Sequence, residues 1–263
     1  MATSAVVTGA GRGIGLAFAR RLADAGHRVV LTDIDGDSAR RAAADIGRGA
    51  IGLAQDVRDV ASHREVAAEA AELGSVAVWV NNAGILLAGS SWEHGDDQLT
   101  AILDVNIRGV MAGSAAAVRA MGSDGGAILN VASISALMPV PGLALYAATK
   151  AAVLSFTTSL QGDLHHAGLP IRARALCPDV VGTAMVADRA HDPGAALLFS
   201  GPRPLAEDDV AAAGLALLES RQLFRVVPRW RGALVRSLDV TPSVGLSILG
   251  GIRRVGDRRQ RRG

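Results

Sequence analysis

The sequence predicts one α/β domain built on a doubly wound, all-parallel sheet. Short β-rich runs recur along the 263 residues, with helical stretches between them. The runs are nearly continuous in apolar residues, as strands covered on both faces must be. Glycines and polar residues gather just beyond the C-terminal end of each run, where open α/β sheets bind their ligands.

The first run, SAVVTG (4–9), leads into an Ala/Leu/Arg helix from Ile14 to Ala25. HRVVLTD (27–33) precedes a helix over 36–46, and GAIGLAQD (49–56) one over 59–73. VAVWVNNAG (76–84) comes before a long helix over 96–121, and GGAILNVAS (125–133) before another over 143–167. PIRARALCP (170–178) is followed by a loop, a helix over 207–220 and a last run, LFRVVP (223–228). Right-handed crossovers between such strands give a Rossmann-type layer. No internal repeat or linker interrupts the chain, so residues 1–240 read as a single Rossmann-type catalytic domain. Residues 241–263 read as an apolar segment with a basic tail.

Composition narrows the function. Apolar residues make up 49% of the chain and aromatics only 3%, so Ala, Val and Leu must fill the core. The net charge of +2 hides an asymmetry, because residues 253–262 carry six Arg against one Asp and the body is mildly acidic. A nucleic-acid binder needs basic residues clustered on its folded body beside stacking aromatics; neither is present, and no nucleic-acid partner is expected. Cys177 is the sole cysteine, which excludes an intrachain disulfide and fits a reducing compartment. The N-terminus, MATSAVVTGAG, has no basic-then-apolar leader, and no membrane span is expected. The expected location is the cytoplasm.

TGAGRGIG (Thr8 to Gly15) opens a helix directly after the first strand. Glycines there let the backbone approach a pyrophosphate, and the helix N-terminus offers free N–H donors and a favourable dipole. A tight turn would use the same residues, so the context matters. Asp33 ends the second strand, placed to accept from the adenosine ribose hydroxyls and to repel a 2′-phosphate. Arg12 pulls the other way, since a guanidinium in this loop can pair with that phosphate. NAD is favoured over NADP. Asp56 and Val57 follow the third strand, where Asp56 can meet the adenine or cap a helix.

The only Tyr of the chain, Tyr146, and its only Lys, Lys150, stand four apart on one helix face. A free phenol has a pKa near 10, above the range of a base working at neutral pH, and a nearby cation favours the phenolate. Ser133 ends the fifth strand, and Asn106 lies in LDVNIRG on the preceding long helix. Together with TGxxxGxG and NNAG, these residues strongly resemble the short-chain dehydrogenase/reductase family over residues 4–183. The resemblance implies an NAD(P)-dependent oxidoreductase interconverting a secondary alcohol and a ketone. It implies that Tyr146 is the general acid/base and that Lys150 lowers its pKa and binds the nicotinamide ribose. Ser133 would position the substrate oxygen, and Asn106 would hold a water linking Lys150 to solvent. Gly9, Arg12, Gly13, Ile14, Gly15, Asp33, Asp56, Val57, Asn82, Ala83, Gly84, Val181 and Thr183 would contact the cofactor, with Tyr146 and Lys150. No metal is expected.

One departure stands out: where the family has Pro-Gly-x-x-x-Thr, this chain reads PDVVGT, with Asp179 in the glycine position. Cys177 beside it reads as a small core hydrophobe. The segments that set substrate choice, 134–145 and 182–205, are rich in Leu137, Met138, Val140, Leu143, Met185, Leu197, Leu198 and Phe199. Apolar walls of this kind favour a lipophilic alcohol or ketone, or alternatively pack a subunit contact. Ala-rich faces on the helices of Asn106 and Tyr146 suggest a homodimer or homotetramer. The end of the chain, PSVGLSILGGI followed by clustered Arg, reads as a docking segment with a disordered tail. Association with an anionic membrane surface is the second reading. Two alternatives to the main function remain: an NADPH-preferring ketone reductase and a non-catalytic dinucleotide sensor.

Overall fold

A computed structural model describes residues 2–201, 203–239 and 242–260 of the chain. Seven strands form one parallel sheet in the order β3-β2-β1-β4-β5-β6-β7. They are β1 (Thr3–Thr8), β2 (Arg28–Asp33), β3 (Ile51–Ala54), β4 (Ser75–Asn81), β5 (Gly126–Val131), β6 (Ile171–Pro178) and β7 (Phe224–Val227). The order reverses between β1 and β4, opening a crevice at their C-terminal ends.

Alternation along each strand feeds two cores. Ala5, Val7, Val29, Leu31, Val78, Val80 and Leu129 face one layer. It is made by α1 (Gly13–Asp24), α2 (Gly36–Ile46) and, further along the chain, Glu207–Leu218. Val6, Val30, Trp79 and Ile128 face the other. That layer comprises α3 (Val60–Leu73), the helical stretch α4 (Asp96–Leu103) to α5 (Gly109–Met121), and α6 (Ala144–His166). Small residues let these helices lie close, and Phe18 and Leu22, one turn apart on α1, are fully buried. The long expected helix over 96–121 is broken by a π-turn at Asp104–Arg108. Asp96–Asp124 is long and apolar enough to cross a membrane by length and composition alone. Its Ile102, Asn106, Val110, Ala117 and Met121 are instead buried in the fold.

The chain's later part departs furthest from expectation. A short α7 (Ala184–Ala187) and a 3-10 stretch, Pro193–Phe199, precede α8 (Glu207–Leu218). After β7 come two helices the sequence reading did not include, α9 (Arg229–Asp239) and α10 (Pro242–Gln260). Over 242–260 the expected docking segment and disordered tail are thus one helix, packed on Pro193–Phe199. Gly256 meets the Ala196 backbone so closely that a Cβ there would overlap it. Arg261 and Arg262 of the tail lie outside the described residues.

Candidate active site

A cavity of about 560 Å³ follows the crevice from Asp33 to the helices after β7. At one end the glycine loop turns from β1 into α1. Gly9 has φ 62°, and a Cβ there would lie 2.8 Å from Ala83 Cα. Only glycine combines that angle with that approach. Asn82 ties β4 to this loop, its Nδ2 donating to the carbonyls of Thr8 (3.0 Å) and Gly9 (2.9 Å). Thr8 Oγ1 accepts from the N–H groups of Asn82 and Ala83, both at 3.1 Å.

Gly9, Arg12, Gly13, Ile14, Asp33, Asp56, Val57, Asn82, Ala83, Gly84, Val181 and Thr183 all line the cavity. Gly15 does not. It is buried against the Gly9 carbonyl and Asn82, where a side chain would force α1 away from the loop. Asp33 Oδ2 accepts from Gly11 N–H at 3.0 Å and Oδ1 from Asp35 N–H at 3.1 Å. Those bonds fix the carboxylate while leaving acceptor capacity on both oxygens. Asp56 pairs with Arg58 at 2.6 Å, which holds its carboxyl below the usual range. Gln55, Ile34 and Ile85 also line the cavity and were not anticipated. Their signal is positional, one residue from a predicted strand end.

At the other end Ser133, Tyr146 and Lys150 share the same space. Lys150 Nζ lies 5.6 Å from the centre of the Tyr146 ring and donates to the Val131 carbonyl at 2.9 Å. Burial pushes the Tyr146 phenol up to about 12, although a hydrogen bond with Ser133 pulls it back in part. Burial pushes Lys150 down to about 8. Desolvation is the largest influence on the Tyr146 phenol in this arrangement, and Lys150 is itself desolvated.

Asn106 is completely buried beneath this site, in the π-turn. Its Oδ1 accepts from Ile85 N–H (2.8 Å), and its Nδ2 donates to the Ile85 carbonyl (2.9 Å) and Thr149 Oγ1 (3.0 Å). Both amide hydrogens are thus committed, which leaves Oδ1 and the backbone carbonyl as the acceptors a water could meet. A Cβ on Gly84 would come within 3.3 Å of Asn106 Oδ1 and 3.4 Å of Lys150 Nζ. The absence of a side chain at Gly84 keeps the approach to Lys150 open.

Asp179, in the place of the usual glycine, does not need glycine's freedom, since Arg48 is the sole non-glycine with positive φ among the described residues. Its N–H donates to the Val227 carbonyl at 2.8 Å, and its Oδ2 accepts from Arg231 Nε of α9 at 2.6 Å. The loop beyond β6 is thus clasped to a helix that closes the cavity. Cys177, next to it, is fully buried with Ala132, Val153 and Val226, as a core residue.

The outer wall is apolar. Met138, Val140, Leu143, Met185, Leu197 and Leu198 line it as expected, whereas Leu137 packs in the cluster of Cys177 and Phe199 faces α10. Leu234, Val235, Leu249 and Ile252 complete the wall from α9 and α10. Spacing could have revealed α10, where Ile248, Ile252 and Val255 recur at helical intervals. Gly250, Gly251 and the leading Pro242 obscure the pattern, although proline is well tolerated in a first helical turn.

The strand order, the glycine loop at a helix N-terminus and the anchored Asp33 define a dinucleotide-binding oxidoreductase fold. The short chain dehydrogenase family model matches residues 3–194. A 3-beta-hydroxysteroid dehydrogenase of Comamonas testosteroni is 34% identical over 183 residues, 69% of this chain and 72% of that one. A meso-2,3-butanediol dehydrogenase of Serratia marcescens is 38% identical over 182 residues, 68% of this chain and 72% of that one. A Burkholderia phymatum short-chain dehydrogenase/reductase, solved in complex with NAD, superposes with a TM-score of 0.80 at 30% identity, covering 89% of this chain and 92% of its own. This chain belongs to the short-chain dehydrogenase/reductase family. It is an oxidoreductase acting between hydroxyl and carbonyl groups with a nicotinamide dinucleotide.

Proposed function

We propose that the protein interconverts a lipophilic secondary alcohol and its ketone, with Tyr146 as proton donor and acceptor. One observation carries this reading: the phenol, the Ser133 hydroxyl and Lys150 open onto the same cavity as an otherwise apolar wall. The residues present fit a dinucleotide, since Gly13 and Gly84 leave room beside Thr183 and Lys150 that a Cβ would fill. Gly9, Gly13, Ile14, Asp33 and Asn82–Gly84 would hold the adenosine and pyrophosphate, with Val181 and Thr183 beside the nicotinamide. The nicotinamide, when bound, exchanges the hydride. The chain's own task is then the proton and the orientation. Ser133 accepts or donates a hydrogen bond at the substrate oxygen, and Tyr146 hands a proton to that oxygen in reduction. Lys150 holds a positive charge below the phenol. Asn106 positions Ile85 and Thr149, and through them the floor of the site.

Steady-state turnover of alicyclic and steroidal alcohols against polyols tests the substrate reading. The lipophilic alcohols are expected to give the higher kcat/KM, and a clear preference for polyols would refute it.

NAD preference rests on Asp33, whose carboxylate would face a 2′-phosphate. Each 1.4 kcal/mol of that repulsion is a factor of about ten, so kcat/KM is expected to favour NADH over NADPH by at least about tenfold. Asp33→Ser should narrow the ratio by a similar factor, with Arg12 then free to meet the phosphate. An NADPH preference in the unaltered protein would transfer the cofactor assignment to Arg12.

A further inference from the structure

Ser135 lies two residues beyond Ser133, on the 3-10 turn Ile134–Leu137. It lines the cavity and is 6% exposed. Its hydroxyl has no hydrogen-bond partner among the described residues. Burying a hydroxyl unpaired is unfavourable, and such groups in native proteins call for an explanation. The other two side-chain atoms in that condition, Arg174 Nε and Arg189 Nε, do not belong to this cavity.

Ser135 is also held in register with the reacting centre. Its backbone N–H donates to Ser133 Oγ at 3.2 Å. The two serines are therefore joined by a direct hydrogen bond, and Ser133 shares the cavity with Tyr146. A serine hydroxyl moves among three staggered positions by rotation about χ1, so Oγ can turn to a partner arriving in the cavity. Met138, Val140 and Leu143 line the same cavity and offer no hydrogen bond from their side chains. An unpaired hydroxyl set among apolar side chains favours a ligand that presents a polar group to it.

We propose that Ser135 is a specificity residue that hydrogen-bonds a second oxygen of the substrate, one or two carbons from the carbon that reacts. The substrate class is then a lipophilic hydroxyketone, vicinal diol or β-keto compound, and not a ketone or alcohol with one oxygen alone. This rests on the function proposed above and deepens it. A site built to bond a substrate oxygen discriminates against the analogue without it, because the protein group is then left unpaired.

The test compares 2-hydroxycyclohexanone with cyclohexanone, and ethyl 3-oxohexanoate with 3-hexanone, in unaltered protein, Ser135→Ala and Ser135→Thr. Unaltered protein is expected to favour the doubly oxygenated member of a pair. Ser135→Ala should lower its kcat/KM about tenfold, the scale of one neutral hydrogen bond, and leave the mono-oxygenated member within about twofold. Ser135→Thr, which keeps the hydroxyl, should restore most of the difference. Thermal melting separates this role from a structural one. Losing an unpaired hydroxyl should leave Tm unchanged or raise it by about 1–3 °C. A fall of more than about 3 °C in Ser135→Ala, or equal losses on both members of a pair, overturns the proposal. Failure of the unaltered protein to reduce any of the four counts against the proposed function, whereas the melting result bears on Ser135 alone.

Discussion

Tyr146→Phe is expected to lower kcat by about 10²–10⁴-fold, the usual contribution of a positioned acid or base. Cofactor binding should stay within about twofold, as read by titration of NADH fluorescence. The ring packs beside Leu86, Met138, Val140, Leu143 and Leu197, and Phe keeps those contacts, so the loss would report the hydroxyl and not the fold. The pH profile carries the same chemistry. With the phenol up at about 12 and Lys150 down at about 8, the proton donor for ketone reduction is intact throughout the neutral range. The first group to titrate is Lys150. Reductive kcat/KM should therefore be level below about pH 8 and fall above it as the ammonium loses its charge, with a limiting slope of about −1. A profile flat to pH 10 would show that the charge on Lys150 has no part in the step. Near-normal turnover in Tyr146→Phe would remove the phenol from the mechanism altogether.

Breaking the Asp179–Arg231 clasp should produce the largest loss of stability available at the mouth of the site. The two side chains are 12% and 23% exposed, and the bond is short at 2.6 Å. Removing either partner strands a charge that solvent reaches only in part. We expect Arg231→Ala and Asp179→Gly each to cost about 1–3 kcal/mol, less than a fully buried pair because water still screens these groups. For a chain of this size that is a fall in Tm of roughly 3–10 °C. The double variant should lose less than the sum, because neither charge is then left alone. Strict additivity in the melting cycle would mean that the pair contributes no coupling. Asp179→Gly restores the family's usual residue, so its destabilisation would show that this chain has exchanged a flexible loop for a loop tied to α9. Arg231 also stands near the Trp230 ring, 5.4 Å from its centre, which makes Trp230 fluorescence a second report on whether α9 stays docked.

Much of the fold was legible because strands and helices follow local periodicities. Each of the seven apolar runs became a strand within a few residues of its expected limits, and the layer order followed from the alternation of strands with helices. The glycine-loop end of the cavity was equally legible. Glycines after a strand and before a helix, and an acid at the next strand end, are local signals whose spatial meeting is dictated by the parallel topology. The Tyr146–Lys150 pair needed only the helical repeat to be set on one face.

The remainder depended on contacts that sequence separation conceals. Asp179 looked like an irregularity in a glycine motif until Arg231, fifty-two residues later, was found against it. Asn106 gave no sign in the sequence of its neighbours, and the fold ties its amide to Ile85 and Thr149. α10 was obscured by its glycines and forms against Pro193–Phe199.

The sequence by itself therefore determined the sheet, the crevice at the strand ends and the placing of Tyr146 and Lys150 on one helix face, because periodicity and short motifs encode them within one or two elements. Only the tertiary structure decided how far the phenol and ammonium are desolvated, what ties down Asp179, which helices close the apolar wall and which hydroxyl, that of Ser135, is left without a partner. Each of these is a matter of burial, and burial is a property of surroundings brought together from distant parts of the chain.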